Sequence, residues 1–463
     1  MRMPNKKKQP DFGKDRGGNE RFVQFQYDDA DQGEECDRTD TVVVRNRKAD
    51  AVDQGYAWVI CFAACFLYAT TDGICFSMGL LFPVFMEKFG ELAGFTSWIS
   101  SVLLGSMMLS GPFVSYLVTQ FGARPVCMLG AILAAAGTTA SMMATGVWYL
   151  IGSLGFVTGF GFGCMMIPAL VSVTVWFDKR RPLAVGIAIC GAGTGMFLYS
   201  SIVRFLLEHY DFHGCFLILG AIVLHGCVFG LLLRPPPPRP TYNDTSSSAN
   251  ATKSDIEFET QSPQNKFDVA IFRNWKYDAF LLSCFLFSLG FFPVFMFVTS
   301  RALKELEWGE DEAAFLLTAI SIANICGRLL CAISLGRSFI NNIAALAFVM
   351  MLGGVTVALS MICNGYHTMM VFCAFYGLSG GFMFVGLPIV MAELILPQHV
   401  EIASGFFVFS VGMAALLGIP TAGVLVDKTS GNFTLLFLMA GSTISVGALI
   451  LLGIFLVNKF SER

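Results

Sequence analysis

Long apolar runs separated by short polar breaks occupy most of the chain. Each run is long enough for an α-helix to cross the hydrocarbon core of a bilayer, which takes about 20 residues. The runs lie at 56–85, 96–118, 125–146, 148–176, 183–206 and 213–233, and then at 277–300, 312–335, 341–362, 368–393, 402–426 and 433–457. The pattern predicts an all-α membrane protein with twelve transmembrane helices, arranged as two six-helix halves around a central polar stretch.

Polar sequence marks both ends of the chain and one long break between the sixth and seventh runs. Residues 1–52 are mixed in charge and contain no apolar run, which predicts a disordered N-terminal tail. The break at 234–276 begins with consecutive prolines and continues rich in Ser, Thr and Asn, so it is predicted to be a linker. The remaining boundaries give a first half at 53–233, a second half at 277–457 and a short tail at 458–463.

Lysine and arginine are distributed unevenly between the two sides of the predicted bundle. On the side of the N-terminus, the loops and the linker hold most of the cations, including the cluster Lys179, Arg180 and Arg181. The opposite loops hold Lys88, Arg301, Lys304 and Lys428. Because short loops rich in Lys and Arg stay on the cytoplasmic side of a membrane, both termini and the linker are predicted to be cytoplasmic.

Composition supports a membrane protein and argues against other classes. Hydrophobic residues make up 55% of the chain and charged residues 14%, whereas soluble proteins carry about a quarter charged residues, so most of the surface must face the lipid bilayer. The net charge of −3 argues against a nucleic-acid partner, which demands a basic patch. The 14 cysteines lie mostly in apolar runs, without the spacing of a metal site or a disulfide framework. No metal and no cofactor is therefore predicted.

A hydrolase-like motif occurs at 377–381, which reads Gly-Leu-Ser-Gly-Gly. A nucleophilic serine in this motif needs a strand before it, and an acid and a histidine after it. Here the motif lies inside an apolar run, where close packing of helices explains the small residues. Since no nucleophile, base and orienting group come together in the sequence, the chain is not predicted to be an enzyme.

Two ionisable residues with polar neighbours are predicted to lie deep in the membrane. Asp72 is near the middle of the first run, with Tyr68 one helical turn earlier on the same face. Arg328 is midway along the eighth run, with Asn324 one turn earlier. A charge in lipid is costly and usually functional, and a guanidinium suits a carboxylate. These four residues are the predicted substrate site, and Asp72 the predicted proton-coupling group. The alternatives are a structural Asp72 and an Arg328 that snorkels to the inner face.

Other polar residues receive separate interpretations. Glu393, at the inner end of the tenth run, and the cluster at 179–181 are predicted to stabilise a cytoplasmic gate. Arg204, at the outer end of the fifth run, is predicted to be an interfacial anchor. His225, in the sixth run, is predicted to be a hydrogen-bonded core residue rather than a proton relay.

Residues 176–195 resemble a signature of the monocarboxylate transporter family, a branch of the major facilitator superfamily. That signature reads roughly Tyr-Phe-x-Lys-Arg-Arg-x-Leu-Ala-x-Gly-x-Ala-x-Ala-Gly-x-x-x-Gly. The matching residues are Phe177, Lys179, Arg180, Arg181, Leu183, Ala184, Gly186, Ala188, Gly191 and Gly195, with mild departures at Trp176 and Cys190. The family's other signature, Asp-Gly-Gly-Trp-Gly-Trp before the first helix, is similar to residues 53–58, which read Asp-Gln-Gly-Tyr-Ala-Trp.

The resemblance implies the major facilitator fold and transport by alternating access. It also implies a proton-coupled carboxylate site with a Lys in the first helix and an Asp–Arg pair in the eighth. Counted from Asp53, the Lys position falls on Phe76 and the Asp position on Asn324, so that only Arg328 is retained. Carboxylate binding at Arg328 is thus implied, while the usual route of proton coupling lacks its residues.

The sequence as a whole predicts a plasma-membrane secondary transporter of a monocarboxylate or a related small organic solute. It leaves open whether protons are co-transported and whether an accessory membrane glycoprotein is a partner. Two other functions also stay open. One is an uncoupled facilitator of zwitterionic, amino-acid-like solutes, in which Asp72 holds the cationic end, and the other is a non-transporting membrane sensor.

Overall fold

A computed structural model describes residues 55–177, 180–235, 274–335, 341–363, 365–395, 400–429 and 431–461. Several sequence predictions fall outside these ranges, namely those for the tail at 1–52, for most of the linker and for Lys179. The side chain of Arg181 is likewise not among the described groups.

Helices account for every regular element in the described ranges, and we number them α1 to α12. The N-terminal half contains α1 Tyr56–Phe89, α2 Ala93–Leu109 with Gly111–Phe121, α3 Ala123–Met143, α4 Val147–Trp176, α5 Arg181–His209 and α6 Phe212–Leu232. The C-terminal half contains α7 Trp275–Lys304, α8 Glu310–Ser334, α9 Asn342–Ile362, α10 Tyr366–Leu394, α11 Val400–Lys428 and α12 Thr434–Ser461. Each apolar run corresponds to one of these helices, which confirms the prediction of twelve spans.

The helices extend further than the apolar runs, and this corrects the placement of several cations. Lys88, Arg301 and Lys304, which were predicted to lie in loops, are inside α1 and α7. A cation in the last turn of a helix is favourable because it lies beside the carbonyl end of the helix dipole. Hydropathy therefore marks the membrane-embedded part of each helix and misses its charged last turn.

The second span is bent by 45° between its two segments. The bend lies at Ser110 and Gly111, and Pro112 follows in the first turn of the second segment. Proline has no N–H to give to the preceding turn, and its ring disfavours a straight continuation. As a result, the two segments of α2 run in different directions.

Large apolar side chains cover the outside of the bundle. Leu129, Trp148, Phe348 and Phe375 are among many that are exposed in the described part of the chain. A water-soluble surface does not present such a continuous apolar area, whereas lipid chains solvate it. Since there are twelve consecutive spans, α1 begins on the same side of the bilayer on which α12 ends. We call this the terminal side and the opposite one the distal side.

Glycines allow two helix pairs to approach closely next to the predicted site residues. In the N-terminal half, Gly191 and Gly195 of α5 lie directly against the backbone of α1 at Cys65 and Ala69. In the C-terminal half, Gly381 of α10 lies against the backbone of Asn324 in α8. Small residues at such crossings let two backbones pack without side chains between them. The positions of α1 and α8 are therefore fixed by these contacts.

Candidate functional site

The predicted acid Asp72 lies in the middle of α1, between two aromatic residues on the same face. Tyr68 is one turn towards the terminal side and Phe76 one turn towards the distal side, and both are buried, whereas Asp72 is half-buried. Within the part of the chain that the structure describes, the carboxylate of Asp72 receives no hydrogen bond. In particular, the hydroxyl of Tyr68 is not bonded to it, as a structural role for Asp72 would require of its nearest polar neighbour.

Arg328 and Asn324 form one connected unit on α8. Arg328 is only 4% exposed, and its Nε donates to Oδ1 of Asn324 over 2.8 Å. The spacing of four residues places both side chains on one face, as the sequence predicted. Because Oδ1 is occupied by the guanidinium, the amide group of Asn324 is turned away from it, and its buried Nδ2 has no partner among the described residues. A buried donor without an acceptor costs about 1–3 kcal/mol, so this group is ready to bind an added acceptor.

Arg328 also reaches across to the N-terminal half. Its Nη1 donates to the backbone carbonyl of Ile189 in α5 over 2.9 Å, and its guanidinium lies 5.6 Å from the ring centroid of Phe384 in α10. The residue lies nearer the terminal end of α8 than the predicted midpoint. Its Nε and Nη1 donate to acceptors inside the protein, which argues against snorkelling to the inner face.

Asp72 and Arg328 carry opposite charges on different halves of the molecule. Their charges interact electrostatically, yet no ion pair within 4.0 Å joins them. Tyr68, one turn from Asp72 on α1, lies close to both groups. A solute held between the two groups would meet a carboxylate on one side, and a guanidinium with a neighbouring amide donor on the other.

Aromatic side chains of α1 and α7 pack against one another on the distal side of Asp72. Phe76 of α1 packs edge-to-face against Phe295 of α7, with ring centroids 4.7 Å apart, and lies 6.5 Å from Phe292. One and a half turns further, Phe82 packs against Phe297 at 4.9 Å. The sequence alone does not pair these rings, although the run of Phe residues in α7 was a visible signal. The rings form an apolar barrier between the charged groups and the distal side.

The predicted gate residues lie away from these groups. Glu393 is exposed near the end of α10 and accepts a hydrogen bond from Asn342 of α9. Arg180 is exposed immediately before α5. Both are on the terminal side, and the structure does not bring them together with Arg328.

Two of the remaining predictions need correction. Arg204 donates from Nε to Glu208 over 2.7 Å and also pairs with Asp311 of α8, so it links the two halves instead of anchoring α5 to the interface. His225 is exposed on α6 and contacts the carbonyl of Ala221 at 2.9 Å, so it is not a core residue. In both cases the helical position was predicted correctly, but the direction of the side chain was not.

Arg301 was assigned to a loop, yet it is fully buried at the distal end of α7. Its Nη1 donates to the carbonyl of Ser360 over 3.0 Å, its Nε lies 3.6 Å from Glu305, and its guanidinium lies 5.0 Å from the ring centroid of Phe437. These contacts join α7, α9 and α12 inside the C-terminal half. We therefore interpret Arg301 as a structural residue that holds the distal end of this half together.

The close crossing of α8 and α10 gives a first test of this geometry. A Cβ on Gly381 would meet the carbonyl oxygen of Asn324 and lie 3.0 Å from its Cα. Overpacking of this kind costs about 1–3 kcal/mol, so Gly381→Ala is expected to displace Asn324 and Arg328 and to lower uptake of a transported solute by about tenfold. Gly453→Ala is the matched control, since nothing lies within 4 Å of its added methyl. Equal uptake by the two variants would contradict the inferred coupling between this crossing and the site.

The sequence of this chain is similar to a known protein family and to several individual proteins. The family model described as Major Facilitator Superfamily matches residues 60–419. Monocarboxylate transporter 4 of Gallus gallus is 30% identical over 404 residues, which cover 87% of this chain and 83% of that protein. Monocarboxylate transporter 11 of Homo sapiens is 30% identical over 431 residues, covering 90% and 87%. Monocarboxylate transporter 13 of Rattus norvegicus is 29% identical over 406 residues, covering 88% and 90%.

Proposed function

The chain belongs to the monocarboxylate transporter family of the major facilitator superfamily, and we propose that it carries a small organic carboxylate across the plasma membrane by alternating access. As a multi-pass secondary transporter it moves a solute and performs no enzymatic reaction. The observation that carries the proposal is the buried guanidinium of Arg328 beside the unpartnered amide of Asn324. In this mechanism, the solute binds between the halves, which then rock to expose it to the other side.

The substrate carboxylate is proposed to bind both residues of α8. The planar guanidinium can donate two parallel hydrogen bonds to the two carboxylate oxygens. Asn324 keeps Arg328 in place through Oδ1 and offers Nδ2 as a further donor. An aspartate at position 324 would neutralise Arg328 from the same helix, whereas asparagine leaves the positive charge available to the solute.

Asp72 is proposed to supply the proton coupling. With Arg328 and Asp72 both charged, the empty site is neutral, and a bound carboxylate adds one negative charge. An uncompensated charge inside a membrane protein is costly. A proton on Asp72 neutralises this added negative charge, so that carboxylate and proton cross together.

A zwitterionic solute is the second candidate, and the free carboxylate of Asp72 favours it specifically. A solute with its own ammonium group would balance the charges of both residues without a proton. The two candidates differ in the pH dependence of uptake. The third possibility, a non-transporting sensor, predicts no uptake at all.

Uptake of a labelled panel tests the proposal and separates these candidates. Cells that express the chain are given lactate, pyruvate, creatine, carnitine and aromatic amino acids at two external pH values. We expect uptake of at least one carboxylate above the background of untransfected cells, and greater uptake at the lower pH. Uptake only of zwitterions, independent of pH, would favour the second candidate. The absence of uptake for the whole panel would favour the sensor.

Orientation in the membrane gives another prediction. The cations of the terminal side and of the linker support our proposal that both are cytoplasmic, where the cluster at 179–181 and Glu393 are proposed to stabilise the gate. An epitope inserted at Ser247 should therefore be labelled by antibody only after the cells are permeabilised. Labelling of intact cells would reverse the proposed orientation. Co-purification from the plasma membrane would test whether an accessory membrane glycoprotein accompanies the chain.

A further inference from the structure

The distal end of α11 is bonded to the start of α2, which belongs to the other half. Oδ1 of Asp427 accepts a hydrogen bond from the backbone N–H of Ala93 over 3.0 Å, and Oδ2 accepts one from Gly94 over 2.7 Å. Leu92, at the N-cap position of α2, provides no side-chain cap. The first turn of α2 is therefore capped by an acid of α11, at the positive end of the helix dipole, where a carboxylate is favourable.

Two glycines permit this contact. A Cβ on Gly94 would lie 2.7 Å from Val424 and 3.0 Å from Oδ2 of Asp427, and a Cβ on Gly423 would lie 2.8 Å from the carbonyl oxygen of Ala93. A larger residue at either position would push the two backbones apart. The contact between α2 and α11 thus depends on residues from both halves, and Asp427 is its charged residue.

Further contacts join the two halves, one nearer the middle of the bundle and one at the distal end. Ser101 of α2 donates to the carbonyl of Leu416 over 2.8 Å, and on the opposite edge Arg204 pairs with Asp311. Together with the Phe76–Phe295 barrier, these contacts close the distal side in this conformation. Asp427 is the charged member on the α2–α11 edge, and hydrogen bonds to an ionised group are about twice as strong as neutral ones.

Building on the alternating-access transport proposed above, we propose that Asp427 is a gating residue that holds the distal side closed by capping α2 across the two halves. When the distal side opens, α2 and α11 separate, and the N–H groups of Ala93 and Gly94 pass to water. The bonds to Asp427 thus favour the distal-closed state alone. Their loss shifts the equilibrium towards the distal-open state.

Thiol labelling of the purified full-length chain in lipid nanodiscs measures this shift. In nanodiscs a membrane-impermeant maleimide reaches both faces, so the result depends neither on orientation nor on a known substrate. The reporter is Ser97→Cys in α2, because Ser97 is fully buried beside Gly423. The control is Ser141→Cys, because Ser141 is equally buried but is bonded to Gly137 and Ser153 inside the N-terminal half. The chain without an added cysteine gives the background.

Asp427→Asn is compared with Asp211→Asn, an exposed acid in the loop between α5 and α6. When Asp427→Asn is combined with Ser97→Cys, we expect the introduced cysteine to be labelled about tenfold faster, as the loss of one charged hydrogen bond implies. When it is combined with Ser141→Cys, the labelling rate should not change. Asp211→Asn should change neither rate. An unchanged rate at Ser97→Cys would overturn the proposal, and so would an equal rise at both reporters, since that indicates a loosened fold.

Gly94→Ala perturbs the same α2–α11 contact from the N-terminal half. It keeps the proposal testable if Asp427→Asn does not fold. Its methyl group would push against Val424 and Asp427, so labelling of Ser97→Cys should again rise while Ser141→Cys does not. Labelling needs no solute, so a failed uptake panel would leave this result standing. Conversely, unchanged labelling in both variants rejects Asp427 as a gating residue even when a solute is carried normally.

Discussion

Arg328→Lys is expected to lose most solute uptake while the protein still reaches the cell surface. Lysine keeps the positive charge but has no planar fork, so it cannot donate two parallel hydrogen bonds to a carboxylate. It also cannot replace the bonds from Arg328 to Asn324 and Ile189 together. Hydrogen bonds to a charged group contribute about 1.5–3 kcal/mol each, and 1.4 kcal/mol is a factor of about ten. We therefore expect kcat/KM to fall by about tenfold to a hundredfold.

Initial rates of uptake, normalised to surface-biotinylated protein, check this prediction. Arg124→Lys is the matched control, since Arg124 is exposed in the first turn of α3 and far along the chain from the site. The control should transport normally. Normal uptake by Arg328→Lys would show that the guanidinium is structural and that the carboxylate binds elsewhere.

Asp72→Asn is expected to remove the dependence of uptake on pH while exchange of substrate continues. Asparagine is close in shape to aspartate but takes up no proton in this range. If the proton crosses on Asp72, wild-type net uptake rises as the external pH falls, because more carriers can load both carboxylate and proton. The variant carries a permanently neutral side chain, so it still binds the carboxylate at Arg328 and exchanges it. Its rate of uptake should therefore not change with external pH.

The measurement is uptake from about pH 5.5 to 8, the range in which a shifted carboxyl group titrates, together with exchange of labelled against unlabelled solute at constant pH. Asp211→Asn serves as the control and should keep the wild-type profile, because this acid lies outside the proposed site. A flat profile in the wild type would reject coupling through Asp72 and make the facilitator of zwitterions the better interpretation.

The membrane fold was largely readable from the sequence because each span is encoded locally. A lipid-facing helix must be apolar along its length, so 56–85 or 433–457 could be recognised without any partner. Helix ends were less accurate, since Lys88 and Lys304 belong to last turns that hydropathy excludes. The bend in α2 coincides with the Gly111-Pro112 pair, a local signal from which it could have been predicted.

The candidate site was only partly readable. Spacing along one helix correctly related Tyr68 to Asp72 and Asn324 to Arg328. Contacts between distant helices left no comparable pattern, and the bond from Arg328 to Ile189 joins residues 139 positions apart. Arg301 shows the same limit, because a cation near the end of an apolar run reads as a loop residue unless its partner on α9, Ser360, is known. The cap of α2 by Asp427 was invisible for this reason as well.

Solute counterflow in proteoliposomes tests the central claim, carboxylate transport anchored by Arg328, most directly. Purified protein is reconstituted, the vesicles are loaded with unlabelled solute from the uptake panel, and entry of the labelled carboxylate is compared with entry of the corresponding amide. We predict a transient overshoot of the carboxylate alone, present with the wild type and lost with Arg328→Lys. Counterflow of the amide equal to that of the carboxylate, or an undiminished overshoot with Arg328→Lys, would contradict the account.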